Sequence, residues 1–126
     1  MKLRIQGDSL RLRVSPSEVK RLFASGRIEE TIHFGCNQEA RFTYALELKP
    51  QGGSISTRCL PQEVTVLVSA ADARRWADGP EVGLYGESGL NHGLLQLAVE
   101  KDFACLDKSG AENIDTFPNP MHGAEC

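Results

Sequence analysis

The sequence predicts an α+β fold of two β-α-β-β pseudo-repeats, whose strands form one curved mixed sheet or partial barrel carrying two short helices and an irregular C-terminal tail. Three observations carry this expectation. Residues 10–28 and 64–82 align without a gap at an offset of 54, so that Leu10, Leu12 and Val14 fall on Val64, Val66 and Val68. In both copies an i, i+3, i+4 apolar stripe follows, Val19, Leu22 and Phe23 in one and Ala73, Trp76 and Ala77 in the other. Each unit then leads to a cleanly alternating strand, with Phe42, Tyr44, Leu46 and Leu48 in the first half and Leu95, Leu97 and Val99 in the second. Gene duplication and the plain recurrence of a strand followed by a capped helix both account for the alignment.

Taken in order, Leu3 and Ile5 occupy odd positions while Leu10, Leu12 and Val14 occupy even ones. The apolar face therefore changes parity across Gly7-Asp8-Ser9, which requires a bulge or a tight turn. Ser15 with Glu18 has capping-box spacing, and Ser69 with Asp72 is its shorter variant. Pro16 suits the first position of a helix over 16–24, and Gly26 suits its stop. Ile28–Phe34 makes the next strand, and the short crossover allows a parallel βαβ connection. Arg41–Lys49 is a strand after the polar turn 35–40. Residues 50–62, rich in Pro, Gly, Ser and Thr, link the halves, with a short edge strand at Ser54–Arg58. Strand Glu63–Val68, helix Ala70–Asp78, strand Val82–Gly86, a Gly-rich turn and strand Leu94–Lys101 complete the second half. This gives one domain over 1–106, with halves of about 1–50 and 54–106. Residues 107–126 form an irregular tail interrupted by Pro118-Asn119-Pro120.

The composition, with 25% charged residues, a net charge of -3 and a pI near 5.6, gives no field to concentrate nucleic acid. The few aromatics do not interleave with basic residues as a stacking platform requires. No stretch approaches the roughly 20 apolar residues of a membrane span, and the start Met1–Gln6 alternates charge with apolar side chains. A cytoplasmic protein is expected, with Cys36, Cys59, Cys105 and Cys126 reduced, since their spacing forms no CxxC pair.

Candidate chemistry rests first on charged side chains. Lys2, Arg4, Arg11 and Arg13 share the outward face of the first strands, and Arg41, Glu47, Lys49, Glu100 and Lys101 lie on or beside facing strands. If the sheet curls, Arg4, Arg11, Arg13, Arg41, Glu47, Glu100 and Lys101 line a cavity for a phosphate or carboxylate, because Arg offers a planar fork to paired oxygens. A solvated face of cross-strand charge pairs is the plainer reading. Cys105 beside Lys101 is a candidate thiol, and Cys105, His122 and Cys126 are weak candidates for a metal, because a structural site needs four ligands. His33 could share the polar face with Arg41. Phosphate-loop, nucleophile-elbow and HExxH signatures are absent from the sequence.

The segments Met-Lys-Leu-Arg-Ile-Gln-Gly-Asp-Ser-Leu-Arg-Leu-Arg at the start, Arg41-Phe42-Thr43-Tyr44-Ala45-Leu46-Glu47, Ala73-Arg74-Arg75-Trp76-Ala77-Asp78, Glu100-Lys101-Asp102-Phe103-Ala104-Cys105 and Phe117-Pro118-Asn119-Pro120 resemble a bacterial family of small proteins of unknown function, the DUF7009 type. The resemblance implies a bacterial, cytosolic, single-domain protein and brings no activity, cofactor or catalytic residue with it. Repeated units with inward charges are also similar to the CYTH-type triphosphate tunnel enzymes, but Lys2-Leu3-Arg4-Ile5-Gln6 stands where their ExExK signature would be. The expected function is a non-catalytic binding or accessory module for a protein partner, a second copy of itself or a small anion. The alternative is a phosphate-ester or polyphosphate hydrolase with a charged cavity.

Overall fold

The structure is a computed structural model and describes residues 1–90, 93–103 and 115–118. Its elements are β1 (Lys2–Gln6), β2 (Ser9–Val14), α1 (Pro16–Ser25), β3 (Arg27–His33), β4 (Arg41–Lys49), β5 (Ser56–Leu60), β6 (Glu63–Ser69), α2 (Ala70–Asp78), β7 (Gly83–Leu90) and β8 (Gly93–Lys101). The α+β class and the two pseudo-repeats are present. The stretch around Leu3 and Ile5 and the edge strand expected at Ser54–Arg58, found at Ser56–Leu60, belong to the repeat, so each half runs β-β-α-β-β. From Lys2 to Ser56 and from Gln6 to Leu60 the separation is 54 residues, so the alignment found at 10–28 extends back over the edge strand as well.

The strands form two open four-stranded sheets instead of one curved sheet. Sheet A has the order β1-β2-β8-β7 and sheet B the order β3-β4-β6-β5. Each half gives one hairpin to each sheet, and its helix carries the chain between them. The crossover from β2 to β3 is therefore not a βαβ unit within a sheet, as the sequence allowed. The halves meet in two parallel pairings, β2 with β8 and β4 with β6, and every other pairing between these strands is antiparallel. The register repeats: Leu12 opposite Val99 in sheet A corresponds to Val66 opposite Leu46 in sheet B. The split has a packing reason. Leu10, Leu12, Val14, Leu97 and Val99 from sheet A and Leu46, Val64, Val66 and Val68 from sheet B enter one buried cluster with Val19, Leu22, Ala73 and Trp76 from the helices, so each sheet turns one face to the shared core.

Local chemistry sets the helix ends. At α1 the Glu18 N–H donates to Ser15 Oγ at 3.3 Å and the Ser15 N–H donates to Glu18 Oε1 at 2.9 Å, the reciprocal box expected. At α2 only the Asp72 N–H to Ser69 Oγ bond forms, because the shorter Asp72 carboxylate instead accepts from Arg75 at 3.0 Å. Gly26, with φ 82°, takes the left-handed position that stops α1 and turns straight into β3. Gly79 is extended and Pro80 follows, so β7 starts later after α2 than β3 does after α1. As a result Ile28 corresponds in space to Leu84, each facing the same core position of its sheet, and not to Val82 as the ungapped alignment implies. Trp76 is fully buried and donates its indole N–H to Val82 O at 3.1 Å. Of the tail, Phe117 donates its N–H to Asp102 O at 2.8 Å and stacks edge-on against Phe103.

Candidate functional site

The outer face of sheet A is built from three cross-strand rows fixed by register. The first is Lys2, Arg13, Glu100 and Gly83. The second is Arg4, Arg11, Ala98 and Tyr85, and the third is Gln6, Ser9, Gln96 and Glu87. Ala98 has no bulk, so a recess of about 690 Å³ opens over it, walled by Arg4 and Arg11 on one side and Tyr85 on the other, with Gln6, Ser9, Gln96 and Glu87 at its end. Two pairs of like charges stand directly opposite one another on β1 and β2, Lys2 with Arg13 and Arg4 with Arg11, an arrangement that costs stability unless an anion intervenes.

Internal anions answer most of these cations. Glu100 Oε1 lies 3.2 Å from Arg11 Nε and 3.9 Å from Arg13 Nε, and Lys2 Nζ lies 3.0 Å from Asp102 Oδ2. Tyr85 donates its hydroxyl to Glu100 Oε2 at 2.7 Å, and partial burial together with that bond pushes the phenol up to about 12. Arg4 makes only a long contact to Gln6 Oε1 at 3.5 Å and has no carboxylate partner among the described residues.

Sheet B carries the same rows with a different outcome. Glu47 stands where Glu100 does, and Arg58 where Arg4 does. Arg58 grips Glu47 with two bonds of 3.0 and 3.1 Å. Arg27 occupies the position of Gly83 and reaches diagonally over Ala45, donating to Glu47 at 2.9 Å, Thr65 Oγ1 at 3.1 Å, Glu29 at 2.9 Å and Glu63 at 3.2 Å. Its side chain fills the space that stays open in sheet A, and Ala45 and Thr65 are fully buried beneath it. The Arg58 hydrogen bonds hold the Glu47 carboxyl below its ordinary range; burial opposes this and Arg27 adds to it.

The structure thus brings together Arg4, Arg11, Arg13 and Glu100, and separates them from Arg41 and Glu47, which lie on sheet B. Arg41 is exposed and donates to Gln38 O at 2.6 Å. Lys101 points the other way: it is buried, its Nζ donates to Gly79 O at 2.7 Å at the end of α2 and lies 5.5 Å from the Phe117 ring centre. The enclosed convergence that a tunnel-type hydrolase needs is therefore not formed by these residues, because the two sheets stay open and divide them. Cys105, His122 and Cys126 lie outside the described residues. Among the described residues no group of three or more His, Cys, Asp or Glu is placed to hold a metal ion. Sequence reasoning missed Tyr85, Gln6, Gln96 and Glu87, whose relation to Arg4 depends on pairing β7 and β8 with β2.

No helix among the described residues is long and apolar enough to cross a membrane. No curated protein and no solved structure matches the chain. The model of the DUF7009 family, a family of unknown function, matches residues 1–121, and the chain belongs to that family.

Proposed function

We propose that the protein is a non-catalytic binding module that holds a small polar anion, a phosphate or carboxylate carrying hydroxyl or amino groups, in the recess of sheet A. One observation carries this reading: Arg4 lines the recess without a carboxylate partner among the described residues, whereas Arg58 in the equivalent place is locked onto Glu47. Arg4 and Arg11, facing each other across β1 and β2, present two guanidinium forks to one anionic group. Glu87, Gln6 and Gln96 offer acceptors and donors to the polar remainder, and the exposed Tyr85 ring offers a flat wall. The recess falls within the roughly 300–1,000 Å³ of small-molecule sites. A binding role is favoured over a hydrolytic one because Glu100 is already engaged by Arg11 and Tyr85 and, among the described residues, no cluster of metal-binding acids lines the recess. Cys36 and Cys59, both free and exposed, fit a reducing, cytosolic setting.

A thermal-shift series with inorganic phosphate, pyrophosphate and citrate tests the reading. A ligand at 100 times its dissociation constant adds about 2.7 kcal/mol. At least one of these anions is expected to raise the melting temperature of the wild type and of Arg58→Gln, and to leave Arg4→Gln unmoved. An equal rise in all three proteins, or none in any, would sink the assignment.

A further inference from the structure

We propose that the outer edge of β3, which no other strand among the described residues pairs with, is a self-association surface, pairing antiparallel with β3 of a second copy about an axis at Thr31. β3 is an outer strand of sheet B, and residues 29–34 are exposed along it, Ile32 at 47% and Phe34 at 65%. Phe34 N–H donates to Ala40 O and Gly26 O accepts from Leu48 N–H. Alternation then turns the even-numbered backbone groups toward β4, while Glu29, Thr31 and His33 turn theirs outward, ready to pair. The other outer strands differ. β1 is blunted by Lys2 and Arg4, and β5 and β7 stand beside one another, with the methyl of Ile55 seated over Gly86; the matching contact at β3 is the Met1 ammonium on Glu30 Oε1 at 2.8 Å, beyond which residues 31–34 are exposed.

Charge complementarity commits the occupant to a second copy and fixes the register. With Thr31 opposite Thr31, Glu29 meets His33 of the other copy, twice. Within its own sheet His33 faces Arg41, so each pair of basic groups receives a carboxylate. Glu29 has room for this: Arg27 engages only its Oε2, and Oε1 has no partner among the described residues. Thr31 already bonds Thr43 at 2.8 Å, so the central row becomes four threonines across the axis; on the opposite face this register sets Ile28 against Phe34 and Glu30, held by Met1 and Tyr44, against Ile32. An axis at Glu29, Glu30 or His33 instead sets two like groups face to face, and an axis at Ile32 puts His33 opposite Thr31 and leaves Glu29 without its basic partner.

Analytical ultracentrifugation of the full chain up to about 1 mM, a range that reaches weak pairing, is expected to show a monomer–dimer equilibrium. A monomer throughout overturns the proposal. Thr31→Lys places two ammonium groups across the axis and is expected to weaken association at least about tenfold. A dimer that persists unchanged in a Thr31→Lys protein of wild-type circular dichroism also overturns it. Glu29→Lys and His33→Glu are each expected to weaken the dimer, and the double variant to restore it. Failure of that restoration overturns the register and the proposal with it.

Discussion

The outer faces of sheets A and B start from the same scaffold and reach opposite electrostatic ends. Both present an arginine on the edge strand, an alanine floor and a central glutamate in equivalent register, Arg4, Ala98 and Glu100 in one and Arg58, Ala45 and Glu47 in the other. In sheet B, Arg27 spans the floor and pairs with three carboxylates. In sheet A the same place holds Gly83, where a Cβ would meet Val99 O at 2.7 Å and Tyr85 Oη at 3.0 Å. The lesson is that a recess in a pseudo-symmetric protein is made as much by a missing side chain as by those that line it. Sheet A also carries four cations on β1 and β2 where the matching positions of sheet B are Ser56, Arg58, Thr65 and Leu67, and among the described residues only Glu100 and Asp102 pair with them, leaving Arg4 without a carboxylate.

The largest test of this contrast is Arg27→Met. It leaves Glu29, Glu47 and Glu63 facing one another and takes the donor from the buried Thr65 hydroxyl. Urea unfolding is expected to show a loss of about 2–3 kcal/mol, and a cost no greater than that of Arg4→Met would erase the difference drawn between the sheets. Acid comes next. The Glu47 carboxyl is lowered from 4.5, so its contribution is complete above that value and lost as pH falls through its folded pKa. Between about pH 5 and about pH 3 the urea midpoint of the wild type is expected to drop further than that of Glu47→Gln. Parallel curves would show that the ion-pair network does not stabilise the fold. A smaller effect of opposite sign is expected at Arg4, since Arg4→Gln relieves repulsion with Arg11. A gain of about 0.2–0.5 kcal/mol at low salt, vanishing near 1 M salt where the Debye length is about 3 Å, is the signature, and a loss of stability would mean that Arg4 is already satisfied. Smallest is Tyr85→Phe. The phenol stays protonated to well above neutral pH, so its removal is expected to leave the phosphate-induced thermal shift in place. Complete loss of that shift would move the site from the arginines to the β7 wall.

Much of the scaffold was legible because apolar period and caps are local signals. Leu10, Leu12 and Val14, the Val19 and Trp76 stripes and both serine caps all take the roles that their spacing implies. The division into two sheets was not legible. Alternation says which face a strand hides, but not which strand lies beside it, and the partner of β2 is the distant β8. Half of the candidate site could be read for the same reason. Arg4, Arg11 and Arg13 sit on adjacent strands joined by a tight turn, so parity alone places them together. Tyr85, Gln96 and Glu87 join them only through long-range pairing, and Arg41 and Glu47 leave by the same route. Arg27 carried no signal at all, being one charge at the start of a strand, and the shift in register after α2 hid its match with Gly83.

The crossed arrangement of hairpins also orders events in time. Every strand of sheet B lies within residues 27–69, whereas sheet A draws on residues 2–14 and 83–101. Leu46 waits 20 residues for Val66, and Leu12 waits 87 for Val99. Closing the longer loop costs about 1.3 kcal/mol more chain entropy, and during synthesis its last strand emerges only after sheet B is complete. Sheet B can therefore assemble on the ribosome while the β1–β2 hairpin, with its four cations, remains an unpaired overhang. The arginine-bearing face is thus the last part of the molecule to take shape, and any factor that meets the nascent chain meets that hairpin first in its open form.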